Sequence, residues 1–510
     1  MMKRSVVLTP FLFTFASLLQ LTYVSLIVAS PMQIFRPLVI LWILLFLLLL
    51  PVYWLLRDWN WGVLLLTVLA AGFCFSASFF STILLSTVIV VILWLSFFRF
   101  RRTKVDVAHF VSLLSGISMF FIGYSVLLIG KTLTAIPWID YQAATYDAKT
   151  YSVDTLPYLK RDIYFIILDG YARADILQEM YGFNNFEFLA YLEKQGFVVP
   201  IASTSNYPAT HLSVASMLNM DYIESFSPGL EKSYQRWLMS PFIDHSRVRA
   251  LLEQQGYRSV SISTNWSITD NPTTNTYFQP DPMMLSDFEG FLLDSTPLNI
   301  INPILDRFAS VPSFESQRKI ILYNFETLAH LPELPGPKFV VAHIISPHPP
   351  FVFDRNGKAV QLSDSFSFKD AAEYSGSKGE YRRRYVDQLQ FVNDNMERVI
   401  DAILAKSKLP PIIVIQADHG SGMLVDFASS KNTCIKERFS TFAAYYLPNL
   451  DPHSIPPSVS AVNIFRIIFN EYFAAQLPIL ESKLYFYKRP VSFYEFEDVT
   501  TRQNEKCQQP

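Results

Sequence analysis

Pro411-Ile412-Ile413-Val414-Ile415-Gln416-Ala417-Asp418-His419-Gly420 is an apolar, β-branched run that ends abruptly in a carboxylate, an imidazole and a glycine. Consecutive aliphatic side chains without polar alternation predict a strand covered on both faces, the habit of a buried parallel strand. Open α/β sheets place their ligands just beyond the carboxyl ends of such strands, where Asp418 and His419 fall. Taken alone, the pair suits a metal site and a hydrogen-bonded turn equally well. The rest of the chain has to separate the two.

A second run of the same design, Ile163 to Leu168, ends in Asp169-Gly170. The glycine permits a tight turn or the close approach of a ligand. Asp169, Asp418 and His419 together form a mixed oxygen and nitrogen set suited to one divalent ion, zinc or manganese, with magnesium a further option. Three ligands leave a coordination position open. Thr210 is the candidate to fill it, because Pro208 can start a helix and place this hydroxyl in the first turn. There the free N–H groups and the positive helix end favour an attacking alkoxide and an anionic phosphoryl group. Threonine is a poor nucleophile until a metal or base lowers its pKa, and without one it serves as a helix cap. A third run, Phe339 to Ile345, leads into Ser346-Pro347-His348-Pro349-Pro350-Phe351 and holds His348 in a stiff loop. His343, inside that strand, is expected to be a packed core residue. Asp354 and Arg355, just beyond, either present charge to a phosphate or stand in a solvated loop.

Further candidate strands at 259–263 and 443–447 alternate with helical periodicity, clearest from Tyr381 to Lys406, so an α/β domain with a mainly parallel central sheet is expected from residue 161 to 510. Before residue 132 the composition differs: charges thin out and apolar stretches of membrane-spanning length lie between them. Five helices are expected, at about 5–29, 37–56, 62–79, 81–98 and 108–130, forming a transmembrane domain over 1–131. With Lys3-Arg4 inside, five spans also put Arg57 and the basic cluster Arg99 to Lys104 inside, which places everything after residue 131 on the outer face of an inner membrane. Residues 132–160, rich in tyrosine, form a connector that either follows the interface or packs on the soluble domain. A net charge of −2 argues against a nucleic-acid surface, and Cys74, Cys434 and Cys507 have no metal-like spacing, so the soluble part holds at most one disulfide.

Asp169 after a strand, Thr210 in a Thr-x-x-Ser-Val-x-x-Met context and the late Asp418-His419-Gly420 resemble the alkaline phosphatase superfamily. The resemblance is to its sulfatase-like membrane transferases, the lipoteichoic acid synthases and lipid A phosphoethanolamine transferases, which also join a five-helix membrane domain to an outer catalytic domain. It implies that Asp169, Thr210, Asp418 and His419 hold a catalytic metal, that Thr210 is the nucleophile, and that His348 contacts substrate or a second zinc. The phosphoethanolamine transferases carry a further histidine ligand after the Asp-His pair, and Ser421 to Glu437 contains none, so one ion is expected. Arylsulfatase chemistry is disfavoured, since no cysteine lies in a Cys-x-Pro-x-Arg context. The implied activity is transfer of a phosphoglycerol or phosphoethanolamine group from a phospholipid donor to an exported glycan or lipid acceptor through a phosphothreonine. The alternatives are an outer-face phosphodiesterase or phosphatase, and a non-catalytic partner in membrane assembly or glycan export.

Overall fold

The computed structural model describes residues 7–27, 29–74, 107–137, 160–264, 266–280, 285–296, 312–362, 366–487 and 492–507. They fall into two compact units, Met1–Ile136 with Met283–Val311, and Pro137–Pro282 with Pro312–Pro510.

The first unit contains the helices Thr9–Ser25, Phe35–Leu56, Trp59–Cys74 and Val107–Thr134. Two segments, Pro31–Leu56 and Val107–Thr134, are long and apolar enough to cross a membrane. Only 11% and 17% of their apolar windows are buried, so most of this surface faces outward, as lipid permits and water does not. Hydroxyls on the shorter helices are satisfied locally: Thr14, Ser17 and Thr67 each donate to a carbonyl four residues back. Five spans were expected, whereas the described residues before 137 carry four helices, two of them of full spanning length. The expected span at 81–98 and most of the connector at 132–160 lie outside the described residues. The helix Asp287–Asp294 also belongs to this unit: Ser286 and Glu289 form a capping box at its start, Glu289 pairs with Arg36, and Phe288 and Leu292 pack on Leu18, Leu19, Ile34 and Leu38.

The second unit is built on a six-stranded sheet: β1 (Ile163–Leu168), β2 (Arg258–Ile262), β3 (Thr276–Phe278), β4 (Lys338–Ile344), β5 (Ile412–Gln416) and β6 (Ala443–Tyr446), in the order β3-β2-β4-β1-β5-β6. All pairings are parallel except β5 with β6. Every residue of β1 and β5 is buried, which explains their unbroken aliphatic sequence. β3 was not among the expected strands; it has three half-buried residues and no apolar run to mark it. The helix Lys378–Lys406 buries Tyr385, Leu389, Val392, Met396, Val399 and Ile403 in the core. Each such side chain taken out of water stabilises the fold by about 1.5–3 kcal/mol before entropy is counted. A separate hairpin, β7 (Tyr485–Tyr487) with β8 (Phe496–Asp498), lies beyond the sheet, and Phe486 clusters with Ile435 and Phe439 of a short helix, Ile435–Phe439.

Register fixes what meets at the sheet's carboxyl edge. Ile167 of β1 stands opposite His343 of β4 and Gln416 of β5. One or two residues further along, Asp169 and Asp418 therefore leave neighbouring strands side by side.

Candidate active site

Asp169 is fixed by its own backbone: its N–H donates to the Ile344 carbonyl at 3.0 Å, and its carbonyl accepts from the His348 N–H at 3.0 Å. Gly170 follows with φ +70°, and a Cβ there would lie 3.5 Å from His348 Cβ, so glycine answers both a left-handed turn and a close approach. The Gly170 N–H donates to Asp418 Oδ1 at 3.1 Å, which ties the two strand ends together. His419 Nε2 then lies 3.3 Å from Asp418 Oδ2, 3.4 Å from Asp169 Oδ1 and 3.2 Å from Thr210 Oγ1. Thr210 is the first residue of the helix Thr210–Asn219, with Ala209 extended before it. The four residues expected from sequence thus converge on one point, all of them buried.

This point has the chemistry of a cation site. His419 Nδ1 lies 2.9 Å from the Gly420 carbonyl, so it carries the proton and leaves the Nε2 lone pair facing oxygen atoms. Burial, with Arg438 next in effect, drives the ring's pKa well below its ordinary value, so the contacts of His419 with the two aspartates are not ion pairs. Burial first, and Asp418 second, push the Asp169 carboxyl well above the usual range. Asp169 Oδ1 and Asp418 Oδ2 are buried without a hydrogen-bond partner. Crowded carboxylates and an inward lone pair are costly until a cation sits among them, so the residues fit a divalent metal. Asp169, His348 and His419 form one group of ligand atoms within 4.8 Å of one another, and Asp169, His343 and Asp418 form another. His343 is buried as expected and bonded through Nδ1 to Thr269, but its Nε2 also lies 3.3 Å from Asp169 Oδ2. Burial lowers its pKa to about 4, so it is a neutral neighbour of the carboxylates.

Two residues that the sequence did not single out complete the wall. Asp370 accepts from Tyr381 Oη at 2.7 Å and from Arg438 Nη1 at 2.9 Å, and its Oδ2 lies 3.6 Å from His348 Nε2. Burial by itself would raise this carboxyl, but His348 and Arg438 hold it well below the ordinary range. Arg438 also donates through Nε to the Pro208 carbonyl at 2.7 Å and through Nη1 to that of Gly420 at 3.3 Å, so one buried guanidinium spans both motifs. Glu437 beside it is fully buried and accepts from Tyr181, Ser421, and the backbone of Met423 and Leu424, which sets the course of the chain after Gly420. Asp169, Thr210, His348, Asp370, His419 and Arg438 line a cavity of about 110 Å³. Arg355 does not join them: it is exposed in a turn whose other charge, Asp354, accepts from the backbone of Asn356 and Lys358. Arg438 and Arg236 are the arginines that line this cavity.

The sulfatase family model matches residues 161–465, and the chain belongs to that family, whose members are enzymes of the sulfatase-like type. No curated protein matches this chain. Among solved structures, the zinc complex of the C-terminal periplasmic domain of EcEptC from Escherichia coli is 11% identical, with a TM-score of 0.44 over 68% of this chain and 94% of that one. The lipooligosaccharide phosphoethanolamine transferase A of Neisseria meningitidis is 12% identical, TM-score 0.40, over 80% and 69%. The phosphonate monoester hydrolase of Agrobacterium radiobacter is 12% identical, TM-score 0.40, over 64% and 80%.

Proposed function

We propose that this chain is a membrane-anchored, metal-dependent transferase that moves a phospho-alcohol group, of the phosphoglycerol or phosphoethanolamine type, from a phospholipid to an exported glycan or lipid. The observation that carries the reading is the convergence of Thr210 Oγ1, His419 Nε2, Asp169 and Asp418 beside a small cavity that Asp169, Thr210 and His419 line. Asp169, Asp418, His419 and Thr210 would hold the ion, zinc or manganese, which when bound lowers the hydroxyl's pKa and balances charge on the phosphoryl group. Thr210 is the first residue of its helix, so its hydroxyl stands at the positive end of the helix dipole, which suits an anion.

In the first step the Thr210 Oγ–phosphorus bond forms and the bond from phosphorus to the diacylglycerol oxygen breaks. The proton lost from Thr210 balances the one gained by the departing diacylglycerol, and His348 Nε2, in the cavity wall opposite Asp370, carries it. In the second step an acceptor hydroxyl displaces Thr210 from phosphorus and the proton moves in reverse. Arg438, pinned by three carbonyl and carboxylate oxygens, holds the wall around the reacting group in one geometry. Two helices long and apolar enough to cross a membrane support a lipid donor over a freely diffusing one.

Incubating the full chain with a phospholipid labelled in its head-group phosphate tests this. Label is expected on wild-type protein and to be absent from Thr210→Ala; equal labelling of the two would falsify the nucleophile. Release of free phospho-alcohol without any acceptor product would turn the reading to a phosphodiesterase.

A further inference from the structure

Behind the catalytic cavity lies a second and larger cleft, of about 620 Å³ against about 110 Å³. Sites for small molecules run from about 300 to 1,000 Å³. The cavity at Thr210 therefore has room for the reacting group, and the cleft has room for several linked units of a longer molecule. The two share their partition. Asp370 lines the cavity and Ala371 the cleft; Phe427 lines the cavity and Asp426 the cleft; Arg438 faces one and Ile435, on the same short helix, the other. Tyr381 lines the cleft while its hydroxyl donates to Asp370 in the cavity wall.

The cleft is electropositive although the chain as a whole is at −2. Lys378, Lys431, Lys506 and Arg502 line it against two carboxylates, Asp426 and Glu505. Arg502 Nε holds Glu505 at 2.8 Å, and Asp426 accepts from Asn432 Nδ2 at 3.1 Å and the Ala428 N–H at 2.9 Å. Both acids are thus engaged, while among the described residues no carboxylate pairs with the three exposed lysines. Lys378 opens the long helix Lys378–Lys406, so its ammonium adds to the positive end of that helix. Tyr374, half-buried at the cleft, adds aromatic surface of the kind on which hydroxyl-bearing rings pack. An acyl chain would gain nothing from the ammonium groups.

We propose that this cleft is a binding site for an anionic, hydroxyl-rich glycan chain, which it holds across a thin wall from Thr210. Calling that chain the acceptor rests on the transferase reading; its binding does not. The far wall is the C-terminal segment, Arg502 to Cys507, which the Cys434–Cys507 disulfide ties to the short helix bearing Arg438. An occupant therefore contacts the same element that holds the catalytic wall.

The test uses the full chain in detergent, a fluorescent dextran sulfate oligosaccharide and neutral dextran of the same length. The sulfated probe is expected to bind with an affinity that falls as salt rises, and the neutral one not to bind. The triple variant Lys378→Ala, Lys431→Ala, Lys506→Ala is expected to lose about tenfold in affinity for the sulfated probe, as three partly screened ion contacts would give, with hydrolysis of bis(4-nitrophenyl) phosphate unchanged as proof of folding. Equal binding of the two dextrans, or unchanged affinity in the triple variant, overturns the proposal. So does full displacement of the oligosaccharide by inorganic phosphate at equal charge concentration, which would mark a simple anion site. Protein that binds the oligosaccharide yet never labels on Thr210 overturns the transferase reading and leaves the cleft; protein that labels but does not bind does the reverse.

Discussion

At Asp418 one carboxylate performs two tasks, and they fall on different oxygens. Oδ1 accepts the Gly170 N–H and so locks β5 to the turn after β1, while Oδ2 is buried without a donor beside His419 Nε2. Asp418→Asn keeps the volume and the Oδ1 contact but removes the charge. Changing a residue that merely supports a metal ligand costs about 10–100-fold in metal affinity, and loss of a ligand is expected to cost at least as much. Metal content after dialysis, read by plasma mass spectrometry, should fall from one ion per chain to a small fraction; retention of wild-type stoichiometry would remove Asp418 from the ligand set. Asp370 shows the opposite arrangement. Its charge is already met by Arg438, Tyr381 and His348, so it serves the wall and leaves the ion to the other carboxylates. Asp169, Thr210, Asp418 and His419 were legible in the sequence because each sits at a strand end or helix start that a short local pattern announces. Asp370 and Arg438 were not, because nothing local distinguishes a buried aspartate in an aperiodic loop, or an arginine in Ile435-Lys-Glu-Arg-Phe439, from solvated ones. For Arg355 the sequence showed a charge near a histidine loop but not that its turn stands exposed outside the cavity lining.

Between elements, the critical contact is the passage of Gly420 beneath the helix Ile435–Phe439. A Cβ at residue 420 would lie 2.1 Å from the Glu437 carbonyl oxygen, 3.0 Å from that of Ser440 and 3.1 Å from that of Arg438. All three are backbone atoms, so no side-chain rotation relieves the clash. Gly420→Ala should shift the short helix, loosen Arg438 from Pro208 and Gly420, and cost about 1–3 kcal/mol or more, as overpacking does. The expected result is a folded sheet by circular dichroism with Thr210 labelling reduced at least tenfold; full activity at wild-type melting temperature would show that this packing is slack. The element pattern itself was largely readable. Five of the six strands of the main sheet are where period and apolarity put them, within one residue, and the long helix expected from Tyr381 to Lys406 starts three residues earlier, at Lys378. The exceptions are β3 and the β7–β8 hairpin, three-residue strands whose pairing depends on neighbours and on no period of their own.

For the molecule as a whole, the Cys434–Cys507 disulfide closes a loop of 73 residues and joins the C-terminal segment to the catalytic wall. Loop-closure entropy gives such a link about 2–4 kcal/mol, and a disulfide at this place suits an oxidising compartment outside the inner membrane. Cys434→Ser with Cys507→Ser is expected to lower the melting temperature of the full chain by several degrees, and reductant to do the same to wild type while leaving the double variant unmoved; a double variant that melts with wild type would show the link to be idle. The sequence by itself determined the division into an apolar N-terminal part and an α/β part, the buried parallel strands, and four residues of the candidate metal site, because hydrophobic period and strand-end motifs are properties of short stretches of chain. Only the tertiary structure decided that Asp370 and Arg438 line the cavity at that site, that His343 reaches Asp169, that Arg355 stands exposed outside that lining, and that a basic cleft shares its wall. Those outcomes depend on which distant segments pack together, and burial turns a charge from a solvated group into a paired one only when its partner arrives from elsewhere in the chain.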